Sequence, residues 1–284
     1  MEDEIRSIIG KVKGIHSFSS VIMKINTMIT ADTVSIRDIA LEIEKEPSLS
    51  ANVLRLANSS YYGFSGKVST ISMAMTILGL NTVRNLIMAV YLSRMFLKTG
   101  EGLFDPASLW LHSLGCAVSA RTLLRKRSPE IQEMAFVCGL LHDIGKVVLA
   151  QVAPQSMEAL LLKQKEKGEP FVDIELQDLG YTHSRIGAIL ADTWHFPERY
   201  TNIILHHHHA PMLLKNDDDP IGPAVFIGNQ LAKMLALGKS TSSKADNITD
   251  EMWDMAGVDL DGIDDLIKEI KLKYSEIRAT LNLD

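Results

Sequence analysis

Apolar residues recur at helical spacing along nearly the whole of this 284-residue chain, and no sustained alternation of apolar and polar residues marks a strand. Residues 36–45, IRDIALEIEK, set Ile36, Ile39, Ala40 and Ile43 on one stripe, with Ser35 and Asp38 as the start signal. Pro47 breaks that helix, and LSANVLRLANS begins another with Val53, Leu54 and Leu56 turned inward. Apolar helices follow at 70–79 and 81–97, hinged near Gly79, while LANSSYYGFSG reads as an ordered helix exit closed by Gly63. Further helices are expected at 107–127, 130–152, 155–167, 183–194, 197–209 and 220–237, with Pro129, Pro154, Pro170, Pro197 and Pro220 at their edges. A final amphipathic helix covers 261–281, and KSTSSKADNITDE (239–251), small and polar, reads as a flexible loop. The fold class is all-α: two packed helical lobes, residues 1–100 and 101–284, divided at KTGEGLFDP (98–106).

Composition narrows the function classes. Hydrophobic residues at 46% and charged residues at 23% describe a soluble globular protein. No apolar run is seen to reach the roughly 18 residues of a membrane span, and MEDEIRSIIGKVKG lacks a signal-peptide core, so a cytoplasmic protein without membrane partners is expected. The net charge of −6 argues against nucleic acid. Residues 35–59, read as a DNA-binding helix-turn-helix, carry only Arg37, Lys45 and Arg55 against Asp38, Glu42, Glu44 and Glu46. Cys116 and Cys138 suggest neither a disulfide framework nor a C-x-x-C site, and packing is their expected role.

The chemistry lies in the histidines. Of nine, all but His16 fall between 112 and 209. In GLLHDIGKVVLA (139–150), His142 and Asp143 stand side by side in an oily stretch, where burying each unpaired would cost roughly 2–7 kcal/mol. His112, His183 and the run at 206–209 complete three clusters on separate segments. Imidazole and carboxylate together suit iron, manganese, zinc or nickel. Neighbouring helical residues diverge by about 100°, so His142 and Asp143 either serve adjacent ions or converge on one. Lys146, one turn after His142, can present an ammonium to a phosphate at the same mouth. Each feature alone has an ordinary explanation: His16 and His195 as buried histidines satisfied by a backbone carbonyl, the histidine run as a solvated helix end.

Taken in order, these residues resemble the HDOD family, a degenerate branch of the HD superfamily found in bacterial signalling proteins. The resemblance is carried by EPSLSANVLRLANSSYYGFSGKVSTISMAMTILGLNTVRNLIMA (46–89), then LWLHSLGCAVSA, MAFVCGLLHDIGKVVLA and GYTHSRIGAILADTWHFPE, over roughly residues 15–235. It implies two all-helical halves packed together and a signalling or scaffold module that binds partner proteins. Similarity to the HD-GYP phosphodiesterases implies a ligand set of His112, His142, Asp143, His183, His207 and His208. Asn229 stands where those hydrolases have an aspartate. Asp143 and Lys146 would be the catalytic pair of an enzyme acting on a nucleotide or cyclic dinucleotide, and the cofactor one or two divalent transition metals, iron or manganese before zinc or nickel. This chain departs further: APMLLKNDDDP replaces the glycine-tyrosine-proline motif, and Ser108 replaces the acidic residue of trinuclear members. These departures imply weak or absent catalysis.

Overall fold

The computed structural model describes residues 2–12, 23–25, 27–28, 35–63, 66–96, 102–213, 219–242 and 244–280. His16 and residues 98–101 of the expected lobe boundary lie outside them. Among the described residues there is no strand. The helices are α1 (Glu2–Ile9), α2 (Ile36–Glu44), α3 (Pro47–Ala57), α4 (Ile71–Leu78), α5 (Leu80–Phe96) and α6 (Pro106–Leu123). After them come α7 (Pro129–Leu141), α8 (Ile144–Val152), α9 (Pro154–Lys167), α10 (Phe171–Leu179) and α11 (His183–Thr193). The chain finishes with α12 (Glu198–His206), α13 (Ala210–Leu213), α14 (Ile221–Met234), α15 (Asp250–Ala256) and α16 (Ile263–Thr280).

Local chemistry sets the helix starts. Ser35 and Asp38 form a reciprocal capping box on α2, worth about 1 kcal/mol, and prolines open α3, α6, α7 and α9 at their first turns. Helices α2 to α5 pack on one another, and α5 leans on α6 and α7. The long α6 is buried on nearly every face, with α7, α14 and α16 around it. Helix α1 packs against α8 and α11. Contrary to the expectation that no apolar run is long enough, the stretch Pro129–Val152 could cross a membrane by length and composition, but 83% of its most apolar window is buried inside the fold.

Several expectations need correction. The 130–152 helix is two helices: α7 stops at Leu141, Asp143 leaves helical geometry at φ −101°, ψ 8°, and α8 begins at Ile144. The break falls on the polar pair, and the bend aims both side chains at one point. The expected 197–209 helix ends at His206, which leaves His207 and His208 on the turn beyond it. Helix α10 was masked in the sequence because only Phe171, Ile174 and Glu175 of its nine residues are buried. Helix α15, capped by Thr249, begins within the last two residues of the expected loop and extends beyond it. His195 is exposed at φ 59°, not a buried histidine, and Ile36 is 44% exposed, off its expected stripe.

Candidate metal centre

Five segments deliver the site. His112 sits in the middle of the buried α6, and His142 and Asp143 at the α7–α8 junction. Thr182 caps α11, its hydroxyl accepting from the Arg185 amide at 3.3 Å, and so fixes His183 as that helix's first residue. His207 and His208 follow α12, and Asn229 lies on α14. All are buried except His208, which is partly so. The structure thus brings together every residue singled out as a ligand, with Lys146 beside them.

They form two groups sharing Asp143. In the first, Asp143, His183, His207 and His208 place one donor atom each within 4.8 Å of one another; in the second, His112, His142 and Asp143 do the same. Oδ1 of Asp143 is 3.2 Å from His183 Nε2 and 3.5 Å from His207 Nε2. Oδ2 faces the other way, 3.3 Å from His142 Nε2 and 3.9 Å from His112 Nε2.

The hydrogen bonds behind these atoms show what the site fits. His142 Nδ1 donates to the Gly139 carbonyl at 2.7 Å and His207 Nδ1 to the Ile204 carbonyl at 2.7 Å. In the neutral ring this hydrogen bond turns the Nε2 lone pair inward, and neither Nε2 has a hydrogen-bond partner. His183 Nδ1 donates to the buried carboxylate of Glu175, which also accepts from the His183 amide at 3.1 Å. His183 and His208 Nε2 stand 3.0 Å apart. Two nitrogens each about 2.1 Å from one ion and at right angles to it are about 3.0 Å apart. Buried, inward lone pairs with fixed tautomers are the donor set of a metal ligand, so the cluster can hold an ion.

The two halves differ in what else engages them. In the second group, His112 Nε2 meets Asn229 Oδ1 at 3.0 Å, and Lys146 Nζ donates to Asp143 Oδ2 at 2.8 Å. Protein groups already satisfy much of that half. In the first group the inward atoms have only one another.

Charge agrees with this. Burial, reinforced by His142, pushes His112 down to about 3, and burial also pushes His207 down to about 3. Burial likewise holds His208 well below the usual imidazole range. Burial works against the charge on Asp143, yet His142 and Lys146 keep it well below the ordinary carboxylate range. Burial would lower His183, but Glu175 and Asp143 raise it. His112, His207 and His208 are thereby held in the neutral form that ligates.

Two contributors escaped the sequence reading. Glu175 carries its signal eight residues before His183, as an acid in the short apolar FVDIELQDL, but only the fold shows it beneath the ring. The expected flexible loop at 239–251 is instead a strap across the site: Ser240 Oγ lies 3.3 Å from Asp143 Oδ2 and 3.4 Å from Lys146 Nζ. Neither cysteine joins the two groups; Cys116 Sγ donates to the Val225 carbonyl at 3.6 Å.

Comparison with known proteins bears on the fold and the family. An uncharacterized protein of Treponema pallidum (strain Nichols) is 29% identical over 201 residues, 70% of this chain. The chain spans 38% of that relative's length. Among solved structures, an HDOD domain protein of unknown function from Geobacter sulfurreducens has a TM-score of 0.75 at 25% identity, covering 93% of this chain and 91% of its own. A candidate phosphohydrolase from Shewanella amazonensis SB2B has a TM-score of 0.71 at 22% identity, covering 95% and 99%, and shares the fold. The HDOD domain model matches residues 15–210, more than two thirds of the sequence. With the helical fold and the ordered His/Asp residues already in place, this match establishes that the chain belongs to the HDOD family.

Proposed function

We propose that this chain is a bacterial cytoplasmic signalling module that holds one divalent transition metal, iron or manganese, between Asp143, His183, His207 and His208. It recognises a ligand at that centre more than it turns one over, and relays its state to partner proteins. The observation that carries this reading is the contrast between the halves: in the first the inward atoms have only one another, whereas in the second Asn229 engages His112 and Lys146 engages Asp143 Oδ2, leaving only His142 Nε2 open. When bound, such an ion supplies Lewis acidity and an acidified water. Asp143 Oδ1 and the three imidazoles would hold it, and Glu175 fixes the tautomer of His183. Lys146 neutralises Asp143 Oδ2, and Asn229, a neutral amide, adds no charge to attract a second ion.

A metal-dependent phosphohydrolase is the second reading, favoured by the Lys146 ammonium lying at the mouth beside His208. An assay of the full chain on a panel of phosphodiesters and nucleotides, with manganese or iron added, separates the two. The module reading expects bound metal with little or no turnover. Turnover that disappears in Asp143→Ala would instead establish the enzyme.

A further inference from the structure

The strap that follows α14 does more than cover the metal centre. At its start, Gly238 has φ +75°, and a Cβ there would stand 2.3 Å from the His112 amide nitrogen and 2.5 Å from the Ser108 carbonyl. Backbone and side-chain hydrogen bonds tie it down: the Lys239 amide donates to the Ser108 carbonyl at 3.1 Å, and the Asp246 amide to Gln230 Oε1 at 2.9 Å. Beneath it lies a cavity of about 110 Å³, between the strap, the start of α10 and His208. It lies next to the His/Asp cluster, and the strap falls beyond the residues that the family model matches.

Lys146, Lys233 and Lys244 all line this space. The Lys233 side chain is only 5% exposed, yet its carboxylate contact, Asp246, is 3.8 Å away and its contact to Gln230 Oε1 is 3.4 Å. Lys146 is 2% exposed and has Asp143. Two desolvated ammonium groups on one small cavity repel each other and lack their full complement of acceptors. Burial, with Lys146 adding to it, lowers the proton affinity of Lys233 against the pull of Asp246. The hydroxyl of Thr241, also on the wall, is buried without a hydrogen-bond partner. Glu169 and Asp246 are the carboxylates on the wall; Glu169 lies 3.8 Å from Lys167.

We infer that this cavity binds a phosphate group, with Lys233, Lys146 and the Thr241 hydroxyl as its donors and the strap as its fourth wall. The inference deepens the reading of the centre as a ligand-recognising site, and rests on it for the role of the bound anion. Size selects the ligand class. Pockets for whole small molecules run to about 300–1,000 Å³, so a single phosphoryl group enters here, while a cyclic dinucleotide does not. The group is either free phosphate or the end of a phosphomonoester whose remainder stays outside the mouth.

The test is calorimetric titration of the full chain with inorganic phosphate, adenosine monophosphate and a cyclic dinucleotide, with metal content measured on the same preparations. Phosphate or the monophosphate should bind wild type, and Lys233→Met should weaken that binding about tenfold with metal content unchanged. Tighter binding of the monophosphate identifies a phosphomonoester; binding of phosphate alone identifies the free ion; both sustain the proposal. Thr241→Val, which should weaken binding about threefold, carries the test if Lys233→Met does not fold. Phosphate bound by a protein without metal would sustain the pocket while refuting the metal centre. No binding of phosphate or monophosphate to wild type, equal binding in both variants, or preference for the cyclic dinucleotide would overturn the proposal.

Discussion

Gly145 presses its bare Cα against the backbone carbonyl of His183: a Cβ on that glycine would stand 2.0 Å from the carbonyl oxygen and 2.8 Å from its carbon. This close approach of α8 to α11 brings Asp143, two residues before Gly145, against the His183 ring. The glycine of HDIGK is therefore a spacing device for the His/Asp cluster. Replacing it with alanine forces the two helices apart. Gly145→Ala should lower stability by about 1–3 kcal/mol and reduce bound metal, measured by chemical denaturation and elemental analysis.

Glu175 braces His183, and under the proposed function it would act on the metal through that ring. Its carboxylate accepts from both the ring and the amide of that residue, which fixes the tautomer and raises the basicity of the inward nitrogen. Glu175→Gln keeps the volume but loses the charge. Chelator competition should show metal affinity reduced about 10–100-fold, with the circular dichroism spectrum unchanged.

Asn229 is the residue that leaves the second half-site short of charge. Its amide oxygen faces His112 Nε2 at 3.0 Å, where a carboxylate would compete with Asp143 for Lys146 or for a cation. Asn229→Asp should raise the metal bound per chain above that of wild type and increase phosphodiester hydrolysis. Unchanged stoichiometry would mean that Lys146 alone closes that half-site.

Acid should destabilise the metal-free protein through the buried histidines. In the folded state burial holds His207, like His112, at about 3, against an unfolded value of about 6.5. Between those values the unfolded chain binds protons that the folded chain does not, so stability rises with pH there and falls as pH drops from about 6.5 toward 3. His183, raised in the fold, works in the opposite sense and offsets part of the loss. Thermal unfolding at a series of pH values should give a steeper fall in wild type than in His207→Asn.

The helical class and the polar residues that the fold gathers into one cluster were legible because each leaves a local mark: helical periodicity, proline punctuation, a polar pair in an oily segment. What stayed hidden depends on distant contacts. The break at His142–Asp143 has no glycine or proline to announce it, since Gly145 acts across space on His183 and not on its own helix. Glu175 became a site residue only when α10 folded beneath α11. The strap at 239–246 has the composition of a loose loop, yet the Ser108 carbonyl, Gln230 and Asp143 anchor it. Polar composition describes a segment's affinity for water, and cannot tell a free loop from one held by buried acceptors.

The most direct test is elemental analysis of protein purified without chelators, comparing wild type, Asp143→Ala and the double variant His207→Ala, His208→Ala. Near-stoichiometric iron or manganese in wild type, falling to trace in both folded variants, is the predicted result. Equal trace metal in all three would contradict the account and leave HDIGK as a hydrogen-bonded core motif.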